Sequence, residues 1–307
     1  MTALNLVGYV LALLLAGLAV VAVGRPTEAS AAHGVGGAAV ATVVDARGTV
    51  VPVRDWRRIV SLDLVSDELL GHLVEPRRIA AVSSWVQGPD AWRHDSVPRL
   101  PGLSDLEAII GMQPELVLVS TFSGADRDRI QRLGDTGIAV FDLGPAGGMR
   151  ELTINLRRIA VLTGNPERGE RIATQLERRM AAIAAHLPAQ LPRRRALVVT
   201  PAGEEVYGGT VGTSYHDIVV AAGLVDAAAG RFAEAWPKLG AEQAILIDPD
   251  LIITRVGAGA ALRRMPGFSG LRAVRDGAIL ELPMALFDSP GVSMLDAAEL
   301  LHEMAYP

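Results

Sequence analysis

The residues able to do chemistry in this chain are mostly aromatic, and they are scarce. Phe, Trp and Tyr make up 4% of the sequence, yet Trp85, Phe122, Tyr207, Tyr215, Trp236 and Phe287 all fall at or near segments that follow short apolar runs. A short apolar run bounded by turn residues marks a strand buried on both faces. In sheets of that kind ligands sit beyond the carboxyl ends of the strands, so rings gathered there suit a flat organic molecule or a metal chelate. Arg255, directly after one such run, would meet an anionic group on the same ligand.

Other chemistries lack their residues. The chain has no cysteine, which excludes disulfides, thiolate metal sites, thiol catalysis and a lipid-modified cysteine. There is no nucleophile elbow, no HExxH and no phosphate loop of the GxxxxGK type, and Gly257-Ala258-Gly259 fails to continue as a dinucleotide fingerprint. Of six histidines, His33, His186 and His302 stand in places unsuited to a site, so a receptor for free zinc or manganese is the alternative to a chelate binder. These absences point to a binding protein, with no enzyme activity, no cofactor and no residue assigned as a metal ligand; a two-lobed α/β enzyme is a further alternative. A net charge of -5 argues against nucleic acid as a partner, and the Arg193 to Arg195 run reads as a solvated linker.

The elements that must position the rings come in two copies. Residues 106–120 read LEAIIGMQPELVLVS and residues 241–255 read AEQAILIDPDLIITR, with Glu107 and Glu242, Pro114 and Pro249, and Glu115 and Asp250 at matching places. Each copy predicts a helix, a Pro-acidic turn and a buried strand, hence two α/β lobes. Between them, residues 165–187 predict one long helix: Pro166 suits its first turn, and Ile172, Leu176, Met180, Ile183 and Leu187 form one apolar stripe. The expected fold is therefore α/β, two lobes with parallel-type sheets over residues 42–164 and 188–307, joined by the bridging helix. In detail the sequence predicts a hairpin around Ala46-Arg47-Gly48, a helix capped by Ser214, an irregular segment over 226–237, and a closing helix from Met294.

Residues 4–23 are apolar and uncharged, about 20 residues, which is enough to span a bilayer. Ala29-Ser30-Ala31 fits a cleavage site, and residues 32–41 read as a Gly/Ala-rich tether. Residues 1–41 are thus expected to be a signal peptide or membrane anchor plus tether. The remainder would lie in the periplasm or on the outer face of the inner membrane, held there through residues 4–23 if the segment is kept.

Five segments in order carry a family resemblance: RRIVSL at 57–62, LSDLEAIIGMQPELVLVS at 103–120, LTGNPERGERI at 162–172, WPKLGAEQAILIDPDLIIT at 236–254 and PGFSGLRAVRDGAILELP at 266–283. From about residue 42 to 306 the chain resembles the periplasmic binding proteins of ABC importers for iron-siderophores, haem and vitamin B12, the class III fold with a rigid bridging helix. The resemblance implies a ligand in the cleft between lobes, an iron-siderophore first and haem or cobalamin next, and an ABC permease as partner. It implies that Glu107 and Glu242 dock onto permease arginines. Trp85 and Trp236 match positions where B12 binders place aromatics, whereas two other such positions fall on Pro101 and Ser120. Haem binders use a tyrosine or histidine on iron, for which Tyr207, Tyr215 and His216 are the candidates.

Overall fold

The computed structural model describes residues 41–86, 91–121, 124–144, 148–186, 192–287 and 291–307; the apolar run at 4–23, the cleavage pattern, the tether up to residue 40, Phe122 and Leu187 lie outside them. A hairpin of β1 (Thr42–Val44) and β2 (Val50–Pro52) leads in. Its turn is closed by the Asp45 carboxylate, which accepts hydrogen bonds from the Arg47 and Thr49 amides at 2.8 and 2.7 Å.

The first lobe then runs β3 (Ile59–Ser61), α1 (Leu64–Leu73), β4 (Ile79–Ser83), β5 (Arg99–Leu100), α2 (Leu106–Gly111), β6 (Leu116–Val119), α3 (Gly124–Asp135), β7 (Ala139–Asp142) and α4 (Met149–Leu162). Its strands are all parallel in the order β5-β4-β3-β6-β7. The bridging helix, α5 (Pro166–His186), follows a turn at Gly164, whose φ of +79° is a left-handed conformation that favours glycine. At 21 residues it is about 31 Å long.

The second lobe repeats the plan. It comprises β8 (Arg195–Val198), a hairpin of β9 (Thr200–Ala202) and β10 (Glu205–Tyr207), α6 (Ser214–Ala221), β11 (Val225–Asp226), α7 (Ala241–Ile247), β12 (Leu251–Arg255), α8 (Gly259–Arg264), α9 (Arg272–Arg275), β13 (Ile279–Leu282), α10 (Met284–Phe287) and α11 (Met294–Ala305). The parallel order β11-β8-β12-β13 matches β4-β3-β6-β7 strand for strand. Two details differ from expectation. Thr213 rather than Ser214 caps α6, its hydroxyl accepting from the His216 amide, and a two-residue strand, β11, ends on Asp226, the first residue of the stretch that reads as irregular.

The repeated segment explains its own residues. Gln113 and Asp248 stop α2 and α7 with matching left-handed φ values of 49° and 42°. Glu115 then accepts from the Arg57 amide at 2.6 Å, as Asp250 does from the Arg195 amide at 2.8 Å, each joining its helix–strand unit to the neighbouring strand. Arg58 and Arg195 reach back to the last carbonyls of the two helices, Met112 and Gln113 in one lobe, Ile247 and Asp248 in the other.

Alternate residues of each strand enter different cores. Val117 and Val119 face α2 and α3, and Leu197 and Ile252 face α7 to α9, in two separate outer clusters. Leu116, Leu118 and Phe141 from the first sheet and Val198, Leu251 and Ile253 from the second belong to one continuous inner cluster, with Ala173, Leu176 and Ile183 of α5 inside it. The bridge is pinned at both ends by ion pairs, Arg157 with Glu170 and Glu177, and Arg179 with Asp296 and Glu299. Residues 42–307 accordingly form a single compact unit that contains both sheets.

Candidate functional site

Four parallel strands of the first lobe end around one concavity of about 360 Å³. Leu62 and Asp63 leave β3, Trp85 follows β4, Pro101 and Gly102 follow β5, and Val119 and Ser120 end β6; Asp126 of α3 closes the rim. The indole of Trp85 is 64% exposed. Among the described residues, two carboxylates and no basic side chain line this hollow, and Asp126 pairs with Arg129 of its own helix at 3.4 Å. Asp63 caps α1, accepting from the Ser66 amide at 3.0 Å and hydroxyl at 2.8 Å; burial pushes its carboxyl above the ordinary range, and the Ser66 hydrogen bonds pull it back.

Beneath the Trp85 loop lies a fully buried polar network. Asp67 of α1 accepts from the Ser61 and Ser83 hydroxyls and from the Ser83 amide at 3.0 Å, and the Trp85 amide donates to the Ser83 hydroxyl at 3.2 Å. Burial pushes the Asp67 carboxyl up to about 7, with the serine hydrogen bonds opposing the shift. His94 donates from Nε2 to the Asp67 backbone carbonyl, 2.9 Å away, and burial holds its imidazole below the ordinary range.

In the second lobe the support is aromatic. Phe287 stacks on Tyr215 with centroids 4.1 Å apart and planes 12° from parallel, and Tyr215 meets Trp236 edge-on at 5.0 Å. Phe287 and Tyr215 are buried, 0% and 2% exposed, whereas Trp236 is 51% exposed. Gly209 has to be glycine for this column to close, since a Cβ there would lie 2.4 Å from the Tyr215 ring.

The family profile described as periplasmic binding protein matches residues 59–286, from the first sheet strand into α10. This chain belongs to the periplasmic binding protein family. It is 22% identical over 207 residues to the uncharacterized ABC transporter substrate-binding lipoprotein YvrC of Bacillus subtilis, covering 66% of this chain and 65% of that one. It is 26% identical over 220 residues to a cobalamin-binding protein of Halobacterium salinarum, covering 71% and 59%. The chain thus spans just under two thirds of the length of these curated relatives. Among solved structures, the periplasmic haem-binding protein RhuT of Roseiflexus sp. RS-1 aligns with a TM-score of 0.69 at 20% identity, over 81% of this chain and 99% of that one. The family is one of binding proteins, not enzymes.

Of the residues the sequence singles out in this periplasmic binding protein, Trp85 and Trp236 are exposed at strand-end loops, one on each lobe. Tyr215 and Phe287 have buried rings, stacked on each other, with Tyr215 edge-on to Trp236. Tyr207 ends β10 with its hydroxyl donated to Glu205, which also pairs with Lys238. Arg255 is partly buried at the end of β12. His216 and Asp217 do not form the surface pair their adjacency suggests, because His216 Nδ1 lies 2.8 Å from buried Asp226, while Asp217 accepts from the Met149 amide. Glu107 and Glu242 are both exposed on the first turns of α2 and α7. Among the described residues no group of three His, Asp or Glu side chains is placed to hold a metal ion. The sequence reading missed Asp126 and the Asp67 network, for which no motif exists; Asp63 was visible as the residue after a strand.

Proposed function

We propose that this chain is the extracytoplasmic receptor of an ABC importer and captures a metal chelate whose metal already carries its full set of ligands, a corrinoid ahead of a ferric siderophore or haem. The observation that carries this reading is the lining of the first-lobe hollow: an exposed indole beside Asp63 and Asp126, the latter paired with Arg129 of its own helix, with no basic side chain among the described residues that line it. Haem propionates and anionic siderophores would meet like charge there, whereas the neutral amide rim of a corrinoid would donate hydrogen bonds to carboxylates. The candidate iron ligands support the same order, since Tyr215 is buried and Tyr207 and His216 already hold Glu205 and Asp226. The cobalamin-binding relative agrees with it, against the siderophore that the sequence placed first. With Pro101 and Ser120 at two of the positions, Trp85 is the one aromatic ring among the described residues that line the hollow.

In this reading the ligand lies between Trp85 and Trp236, with Arg255 at its second-lobe edge, and residues 1–41 deliver or anchor the lobes outside the cytoplasm. Titration of the purified protein with cyanocobalamin, a ferric siderophore and haemin, followed by tryptophan fluorescence, tests it. Saturable quenching by cyanocobalamin is expected, weakened about tenfold in Trp85→Ala and in Trp236→Ala, since a stacked aromatic contact contributes about 1.5 kcal/mol. Tight binding of free zinc or manganese with no chelate response would replace this reading with the bare-metal receptor.

Delivery would use Glu107 and Glu242, which stand at equivalent places on two helices and would meet permease arginines. The double variant Glu107→Ala/Glu242→Ala should abolish uptake in cells while leaving ligand affinity unchanged. A fall in affinity would place the two carboxylates at the ligand instead.

A further inference from the structure

Two carboxylates cross between the lobes in opposite directions. Glu68, buried on α1 of the first lobe, accepts a hydrogen bond at 3.1 Å from the amide of Ser293, the residue that precedes α11 of the second. Asp217, on α6 of the second lobe, accepts one at 2.6 Å from the amide of Met149, the first residue of α4 of the first. Neither α4 nor α11 has a side-chain cap of its own. The free amides and dipole at a helix start favour a negative charge, and here the opposite lobe supplies it.

The backbone is shaped for these carboxylates. A Cβ on Gly148 would lie 1.6 Å from Asp217 Oδ2, and a Cβ on Gly291 would lie 1.8 Å from Glu68 Oε2. Each acid therefore occupies the space a side chain would fill, one or two residues before the amide it binds. The two contacts are equivalent within the repeated plan. Glu68 and Asp217 stand on the first helix after the first strand of their sheets, α4 follows the last strand β7 directly, and α11 follows β13 after the one-turn helix α10. Both helices are reached from the carboxyl ends of β7 and β13, the same end of the sheet that carries the hollow and the Trp236 column. Burial pushes the Asp217 carboxyl above its ordinary range and the Met149 hydrogen bond opposes it, as expected where a charge is tolerated only because a donor meets it.

We infer that Glu68 and Asp217 are reciprocal positioning residues: each lobe closes the helix start that underlies the other lobe's cleft loops, and the pair sets the separation and twist of the two half-sites. A shared apolar core resists pulling apart but is non-directional, so it permits sliding. Two hydrogen-bonded caps at separate points fix orientation. The functional meaning rests on the cleft being the ligand site; the geometry itself does not.

The test uses distance, because the chain has no cysteine and two can be introduced as unique spin-label sites. Labels at Asp128→Cys and Arg263→Cys, both exposed and on different lobes, report the inter-lobe distance by double electron–electron resonance; Glu75→Cys with Asp128→Cys reports one lobe alone. Glu68→Ala and Asp217→Ala should each broaden the inter-lobe distribution, and the double variant should broaden it further, while the single-lobe distance stays unchanged. Release of cyanocobalamin should accelerate about tenfold in the double variant. Should the double variant fail to fold, the single variants decide. An inter-lobe distribution unchanged in both, or broadening equally within one lobe, overturns the inference. Failure of cyanocobalamin to bind at all would count against the proposed ligand and leave the distance measurement intact.

Discussion

The two lobes share strand order, repeat and helix stops, but they support their exposed tryptophans by opposite means. Under Trp85 the first lobe buries a carboxylate among serine hydroxyls; under Trp236 the second buries a stack of two rings. The contrast teaches that one backbone plan fixes where a ring is presented while leaving open what holds it there. It also divides the pH response unequally, because the polar support titrates and the aromatic one does not.

The largest expected effect breaks the aromatic side. Phe287→Ala removes a fully buried ring and should destabilise the fold by about 3–5 kcal/mol, read by denaturant unfolding, with a shift in Trp236 emission. A loss below about 1 kcal/mol would mean that the column is not the support of Trp236.

The next effect belongs to the polar side and has a definite sign. The Asp67 carboxyl is raised from 3.8 to about 7 in the fold, so between those values the folded protein keeps a proton that the unfolded chain has released. This contribution makes stability fall as pH rises through that window and level off above it, by roughly 4 kcal/mol at the ceiling. Asp67→Asn should flatten this slope. The difference between the two proteins isolates Asp67 from His94, whose lowered pKa costs stability in the other direction, as pH falls. Parallel pH profiles for the two proteins would remove Asp67 as the titrating group.

The smallest effect tests the sameness of the lobes. Arg58 and Arg195 close the carboxyl ends of α2 and α7 in the same way, so Arg58→Ala and Arg195→Ala should each cost about 1 kcal/mol in denaturant unfolding. A large inequality would show that the shared motif is energetically different in its two settings.

Much of this plan was legible in the sequence because it rests on local signals. The Pro-acidic turns and the apolar runs at 116–119 and 251–253 mark both β6 and β12, and the stripe around Leu176 and Ile183 marks the bridge. The site was legible only by position. Trp85 and Trp236 fall at strand ends and are exposed there, but so does Phe287, which turns inward because α10 carries it under Tyr215. Nothing in a ring's sequence neighbours says which way it faces. Glu68 and Asp217 were invisible for a related reason: a charged residue on a short helix reads as solvated until the opposite lobe brings a glycine and an amide to it. The strand β11 escaped because two residues are too few to show a period.

The continuous inner core has a consequence for dissection. In outline the chain looks divisible after α5, yet the inner faces of both sheets are sealed by residues from both sides of that point, Leu156 and Leu176 before it, Met294, Leu295 and Leu301 after it. A fragment ending at residue 186 would expose the face that α11 and α6 complete, and should collapse without fixed tertiary packing, visible as dye binding with little near-ultraviolet dichroism. During synthesis, then, the first half has no finished state to reach until α11 arrives, and the segments before it stay pliable until then.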